Sequence, residues 1–370
     1  MIIGVPREIK DNEFRVGMNP ESVHELAHHG HRVLVETGAG SGIGATDDDY
    51  RNAGAVIMDS AAELFAEATL IVKVKEPQAS ERAMLRSSQI LFTFLHLAAD
   101  PAQAHDLMAS DATCIAYETV TASDGSLPLL TPMSEVAGRF SIQAGANHLE
   151  KVNGGSGKLL GGVPGVEAAN VVIVGGGVVG SNAAMMAFGM HARVTVIDRS
   201  AQALTRLDNQ FAGQVNTEFS TRHTLEQWVP RADLLIGSVL LPGAKAPKLV
   251  TRDMIAAMRP GSVAVDVAID QGGCFETSKP TSHSQPTYLA EGVVHYCVTN
   301  MPGAVPQTAT RALNNATLPF VLALADKGID ALREDPHLRQ GLNVMDGKIT
   351  NANVATALGF DYHDPATLLT

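Results

Sequence analysis

Residues 171–180 read VVIVGGGVVG, and this stretch constrains the fold more than any other in the chain. Four β-branched residues in a row predict a strand buried on both faces. The run enters glycines at 175, 177 and 180, spaced G-x-G-x-x-G, and residues 178–189 then follow a helical pattern. RVTVI (193–197) predicts the next strand, and Asp198 closes it 18 residues after Gly180. Strand, glycine turn, helix, strand and acid together form a parallel β-α-β unit with a dinucleotide site. Gly175 permits the tight turn, Gly177 lets the backbone approach a pyrophosphate, and Gly180 allows close helix–strand packing. The helix N-terminus offers N–H groups to phosphate, with Val178 and Val179 giving backbone contacts while their side chains pack. Asp198 suits ribose hydroxyls and repels a 2′-phosphate, which favours NAD over NADP; Arg199 beside it weakens that preference.

The rest of the chain repeats the alternation. Before the fingerprint, strands are expected at 2–5, 32–36, 69–75, 89–95 and 113–119, and short helices at 47–53 and 60–68. Asn19-Pro20-Glu21 reads as an N-cap, a first-position proline and a first-turn acid, and Gly30 ends that helix. Residues 131–150 turn helical, and a glycine-rich loop at 153–166 reads as a connector. Beyond the fingerprint come a helix at 201–212, strands at 232–237, 261–268 and 292–298, a helix at 306–327, and a tail with one more helical pattern. At 370 residues there is length for two domains. With 45% hydrophobic but only 5% aromatic residues, the expected cores are aliphatic. The expected class is α/β: two Rossmann-like, doubly wound parallel-sheet domains with a cleft between them.

Charge and composition exclude other classes. Twenty-seven basic against 39 acidic side chains leave a formal charge of −12, unsuited to nucleic acid or an anionic membrane. No apolar run reaches the ~18 residues that span a bilayer, and the N-terminus lacks a signal-peptide pattern. Cys114, Cys274 and Cys297 have neither disulfide nor metal-ligand spacing, so reduced thiols, no metal and a cytoplasmic location are expected.

Open α/β sheets bind ligands at the carboxyl ends of their strands. At those ends stand Arg15, Lys75, His96, Asp270 and Asn300. Arginine can grip a carboxylate, lysine can polarise an oxygen, and histidine and aspartate can move protons. The set suits a small anionic substrate that gives hydride to NAD. Spacing alone leaves neighbours open: Arg7 against Arg15, Lys73 against Lys75, and Asp266 as a strand cap against Asp270. His24, His28, His29 and His31 cluster at one helix end and read as solvated.

At these residues the chain resembles the L-alanine dehydrogenases. The matching stretches are IGVPREIKDNEFRVGMNP (3–20), VKVKEP (72–77), FLHLA (94–98), TPMSEVAG (131–138), VVIVGGGVVG (171–180), GAKAPKLV (243–250), VDVAIDQGGCFE (265–276) and CVTNMPGAVP (297–306). The resemblance runs essentially from end to end. It implies reversible oxidative deamination of L-alanine to pyruvate and ammonia, with Arg15 and Lys75 on the substrate and His96 and Asp270 as the acid/base pair. It also implies NAD contacts from Ser134, Asp198, Ser220, Val239, Leu240, Val267, Ala268, Ile269, Asp270, Lys279, Val298, Thr299, Asn300 and Met301. Two positions depart from the family's habit, Ala203 where a basic residue is frequent and Lys279 where arginine is common. Both put cofactor affinity in question rather than the reaction. The implied domains are 1–128 with 306–370 for substrate, which makes that domain discontinuous, and 129–305 for NAD. A hexamer is implied as well. Two alternatives stay open: a nucleotide-binding subunit of a proton-translocating transhydrogenase, and a non-catalytic NAD-binding regulator.

Overall fold

The computed structural model describes residues 1–239 and 246–370. The chain forms two compact units, Met1–Met133 with Val305–Thr370, and Ser134–Ala304. The first boundary falls inside the helix Thr131–His148. Among the described residues no helix is long and apolar enough to cross a membrane.

The first unit opens with β1 (Ile2–Val5), β2 (Arg32–Glu36), β3 (Val56–Met58), β4 (Leu70–Val72), β5 (Ile90–Thr93) and β6 (Thr113–Ala116). These six are parallel and lie in the order β6-β5-β4-β1-β2-β3. The order reverses between β1 and β4, which makes their carboxyl ends the switch point where α/β sheets bind ligands. β4 and β5 are buried along their whole length, as strands covered on both faces must be. The Pro20–His28 helix starts as its sequence predicts. The Asn19 side chain accepts the Ser22 N–H at 2.9 Å, and Val23 and Leu26 are buried. Each such fully buried aliphatic side chain is worth ~1.5–3 kcal/mol.

The second unit holds β7 (Asn170–Val174), β8 (Arg193–Asp198), β9 (Asn216–Phe219), β10 (Leu234–Gly237), β11 (Val263–Asp266), β12 (Thr287–Ala290) and β13 (Val293–Tyr296). Its sheet runs β12-β13-β11-β10-β7-β8-β9, with the reversal between β7 and β10. The central strands contribute Val171, Ile173, Leu234 and Val265 to one aliphatic core. The tail then returns to the first unit as β14 (Leu342–Met345) and β15 (Lys348–Ile349), extending the sheet to eight strands.

Several expectations change here. The sheets are mixed, not purely parallel. β14 runs antiparallel to β6 and to β15, and β12 runs antiparallel to β13. β4 stops at Val72 and β5 at Thr93, two to three residues before the expected ends at 75 and 95. The cause at β4 is local. The next ladder donor, Val74 N–H, goes to the Glu8 carboxylate at 2.6 Å. Likewise β11 ends at Asp266, and Val267–Gln271 coils into a 3-10 turn. β3, β9, β12, β14, β15 and the helix Pro101–Ser110 were not expected. The loop at 153–166 is a pinned connector: Gly157 N–H reaches Leu149 O and Ser156 N–H reaches Gly261 O, each at 2.8 Å.

Candidate functional site

In the second unit the candidates gather at the carboxyl edge of the sheet. Gly175 leaves β7 with φ +107°, a conformation suited to glycine. A Cβ on Gly180 would lie 1.8 Å from the Gly175 carbonyl oxygen, so helix and turn meet where only hydrogen fits. Ser238 Oγ at the end of β10 donates to Val174 O and Gly175 O at 2.9 Å, fixing the turn from behind. Asp198 Oδ2 accepts the Gly176 N–H at 2.5 Å, and Arg206 donates to Gly176 O at 2.7 Å and to Ser181 Oγ at 3.2 Å. No side chain caps the helix Val178–Gly189, whose N-cap Gly177 and first residue Val178 are exposed. Uncapped first-turn amides at a glycine turn form an anion site, so these residues fit a dinucleotide pyrophosphate. Val179 packs at 7% exposure, but Val178 stands 41% exposed, against the expectation that both side chains pack. Val178 is the helix's first residue and faces out with the open end.

Asp266 and Asp270 separate clearly. The Asp266 carboxylate is buried and accepts from Ala268 N–H (3.1 Å), Cys274 N–H (2.8 Å), Phe275 N–H (3.2 Å) and Ser278 Oγ (2.5 Å). Burial pushes its pKa up, against those hydrogen bonds. It shapes the loop whose exposed tip is Asp270. Asp270 Oδ1 accepts the Asn300 N–H at 3.3 Å, and Asn300 takes a left-handed φ of 60°. Val267 is half-buried there, and Ala268 and Ile269 are buried. Val298 and Met301 are buried on either side of exposed Thr299. Ser220, just past β9, donates its N–H to Asp198 O at 2.9 Å. Val239 follows Ser238 beside the glycine turn, and Leu240 lies outside the described residues. Lys279 is exposed, its N–H on the Tyr288 hydroxyl at 2.8 Å. Ser134 is half-buried on the helix Thr131–His148.

In the first unit Arg15, Lys75 and His96 follow β1, β4 and β5, three adjacent strands, at their carboxyl ends. Arg15 is 2% exposed. Its Nε and Nη2 donate to Glu13 at 2.7 and 2.5 Å, and its Nη1 approaches Met133 Sδ at 3.0 Å. Arg7, by contrast, is exposed. Lys73 is wholly buried between two carboxylates, Glu8 at 3.2 Å and Glu81 at 2.7 Å, while Lys75 is only half-buried. Glu8 also takes the Val74 N–H, and Glu81 the Gln78 N–H at 2.7 Å, so this triad builds the turn that carries Lys75. Burial pushes the Glu8 carboxyl up despite Lys73. Lys73 loses solvation too, yet Glu8 and Glu81 keep its pKa raised.

His96 sits at φ 51°, its ring stacked on Phe94 with centroids 5.7 Å apart. Glu118, in the 3-10 turn just past β6, accepts the His96 N–H at 2.6 Å and lies 3.8 Å from Nδ1. Glu76 is drawn down by Lys75 and Lys10 after burial has raised it. Four cations (Lys10, Arg15, Lys73, Lys75) thus face four carboxylates (Glu8, Glu13, Glu76, Glu81) at this edge.

Sequence models of the alanine dehydrogenase/PNT N-terminal and C-terminal domains match residues 4–137 and 141–352. The alanine dehydrogenase of Halomonas elongata is 58% identical over 370 residues, covering 100% of both chains. That of Mycobacterium tuberculosis is 52% identical, again over the whole of both chains. The chain belongs to the alanine dehydrogenase/PNT family. A solved L-alanine dehydrogenase superposes with a TM-score of 0.94 at 52% identity, covering 97% of this chain and 99% of that one. A transhydrogenase from Sinorhizobium meliloti, 24% identical, shares the fold with a TM-score of 0.81 over 95% of this chain and 99% of that one.

Within this alanine dehydrogenase/PNT chain, sequence reasoning passed over Glu8, Glu13, Glu118 and Arg206. Glu118 carried a usable signal, since it lies at the carboxyl end of a predicted strand, as Lys75 does and as His96 does just beyond its own. Glu8 and Glu13 lie in loop sequence with nothing to mark which charge they would meet. Arg206 lies 26 residues beyond Gly180, past any local pattern.

Proposed function

We propose that this chain catalyses the NAD-dependent, reversible oxidative deamination of L-alanine: L-alanine, NAD and water give pyruvate, ammonia and NADH. The observation that carries the reading is the first unit's edge. There a buried arginine, a half-buried lysine and an exposed histidine follow three adjacent strands, in a chain that matches alanine dehydrogenases over its full length.

NAD, when bound, accepts the hydride that leaves the substrate Cα. The turn Gly175, Gly176, Gly177 and the first turn at Val178, Val179 and Gly180 would hold its pyrophosphate, and Asp198 would hold the adenosine ribose with Ser220 beside it. Ser134, Val239, Leu240, Val267, Ala268, Ile269, Lys279, Val298, Thr299 and Met301 complete the contacts. Arg15 binds the substrate carboxylate. Lys75 stabilises charge on the oxygen that becomes the pyruvate carbonyl. His96 and Asp270 divide the proton work: one deprotonates the water that adds to the iminium carbon, and a proton returned to nitrogen lets ammonia leave. Asn300 N–H on Asp270 Oδ1, and Glu118 beneath His96, hold those two groups in place. A homohexamer in the cytoplasm belongs to the same reading.

The test is purified protein with NAD and a panel of L-amino acids, followed as NADH formation at alkaline pH. Alanine-dependent NADH is expected, and His96→Ala and Asp270→Asn should abolish it while NAD still binds. Hydride exchange between two nucleotides without alanine turnover would favour the transhydrogenase alternative. NAD binding with no turnover would favour the regulator.

A further inference from the structure

Glu13 has no part in the chemistry above, yet it grips Arg15 closely. Its carboxylate is fully buried and takes three donors from that one residue: the backbone N–H at 3.0 Å, Nε at 2.7 Å and Nη2 at 2.5 Å. A guanidinium is a flat fork with a side edge (Nε with one Nη) and an end edge (Nη1 with Nη2). Glu13 fills the side edge. Bidentate capture of a second carboxylate by the same arginine therefore uses the end edge, which carries Nη1, the nitrogen now beside the Met133 thioether. A thioether is a weak acceptor and yields to a carboxylate oxygen.

We propose that Glu13 is a positioning residue for substrate binding: it fixes the Arg15 fork from the side, so that a small monocarboxylate docks end-on. This rests on the reading that Arg15 binds the substrate carboxylate. Two consequences follow from the geometry. Arg15 has four rotatable side-chain bonds, and a buried charge-assisted pair removes that freedom before substrate arrives, so less is lost on binding. Glu13 also offsets the arginine's formal charge, so recognition draws on the direction of the guanidinium N–H bonds as well as on charge.

The experiment is steady-state kinetics in both directions on Glu13→Gln, Glu13→Ala, Arg15→Lys and the Glu13→Gln/Arg15→Lys double variant of the full chain. Thermal unfolding and NAD titration are run on each protein. Glu13→Gln keeps the shape and one acceptor oxygen, so it stays informative if Glu13→Ala fails to fold. Expected for Glu13→Gln is a KM for L-alanine and pyruvate raised about tenfold or more, with kcat and NAD affinity within about threefold of wild type. In the Arg15→Lys background, which has no fork to orient, the same change should add less than about twofold, because coupled residues do not act additively. An unchanged KM in Glu13→Gln overturns the proposal, and so do effects of the two substitutions that simply multiply. If Arg15→Lys alone leaves KM untouched, the substrate reading of Arg15 fails instead, and the two failures are distinct.

Discussion

Replacing Lys73 with methionine keeps most of the stem's volume and removes the one cation that two buried carboxylates share. Deleting one partner of a buried pair costs about 3–5 kcal/mol, because the other partner stays desolvated. Here Glu8 and Glu81 are both stranded, and their grip on Val74 N–H and Gln78 N–H is at stake, so the upper part of that range applies. For a unit of this size each kcal/mol moves Tm by about 2–4 °C, which puts the expected drop at about 8–20 °C by calorimetry. The pH dependence has a definite sign. Burial already raises the Glu8 pKa above its unfolded value, and losing Lys73 raises it further. The folded variant then binds more protons than its unfolded chain, so its stability is present at low pH and is lost as pH rises through the folded pKa. The deficit against wild type should therefore be smaller near pH 5 than near pH 8. A loss under about 1 kcal/mol, or a deficit equal at both pH values, would refute the account of this triad.

Two further outcomes are expected. Gly180→Ala places a Cβ where the Gly175 carbonyl oxygen lies, so the phosphate turn must open; NAD affinity measured by nucleotide fluorescence should fall about tenfold or more, and an unchanged affinity would show that the turn does not hold the cofactor. All three cysteines are buried, with Cys114 and Cys274 pushed well up by burial and Cys297 pushed up to about 11, so iodoacetamide near neutral pH should label none in the native protein and all three after unfolding. Fast labelling of a native thiol would contradict the packing around it.

How much of this was legible depended on whether the signal was local. The β7 turn, the Asn19 cap and the strand-end positions of Arg15 and His96 could be read, because each is a short pattern with one physical cause. Alternation places Lys73 and Lys75 alike, and only the end position favoured Lys75; what divides them in the structure is Glu8, 65 residues from Lys73 in sequence, ending the strand at Val72. β9 reads NTEF and carries too little apolar character to stand out. The β14–β15 hairpin did leave a mark. Asp346-Gly347 is a two-residue turn signal, both residues have positive φ, and the helical reading of the tail obscured it. Glu13 is a different case. Its acidity was plain, but that it would occupy the side edge of an arginine two positions away is a fact of rotamers and burial, which no spacing rule encodes.

The return of the tail to β6 also sets a timetable. During synthesis the first 133 residues emerge with the β6 edge open, its N–H and C=O groups unmatched. The strand that pairs with Ile115 and Cys114 begins at Leu342, so the whole second unit is made in between. At about 5–20 residues per second the edge waits on the order of 10–45 s for its partner. A nascent chain with an open strand edge can pair with a neighbouring copy on the same message. Synthesis rate and chaperone access over that interval then bear on how much of this protein folds correctly.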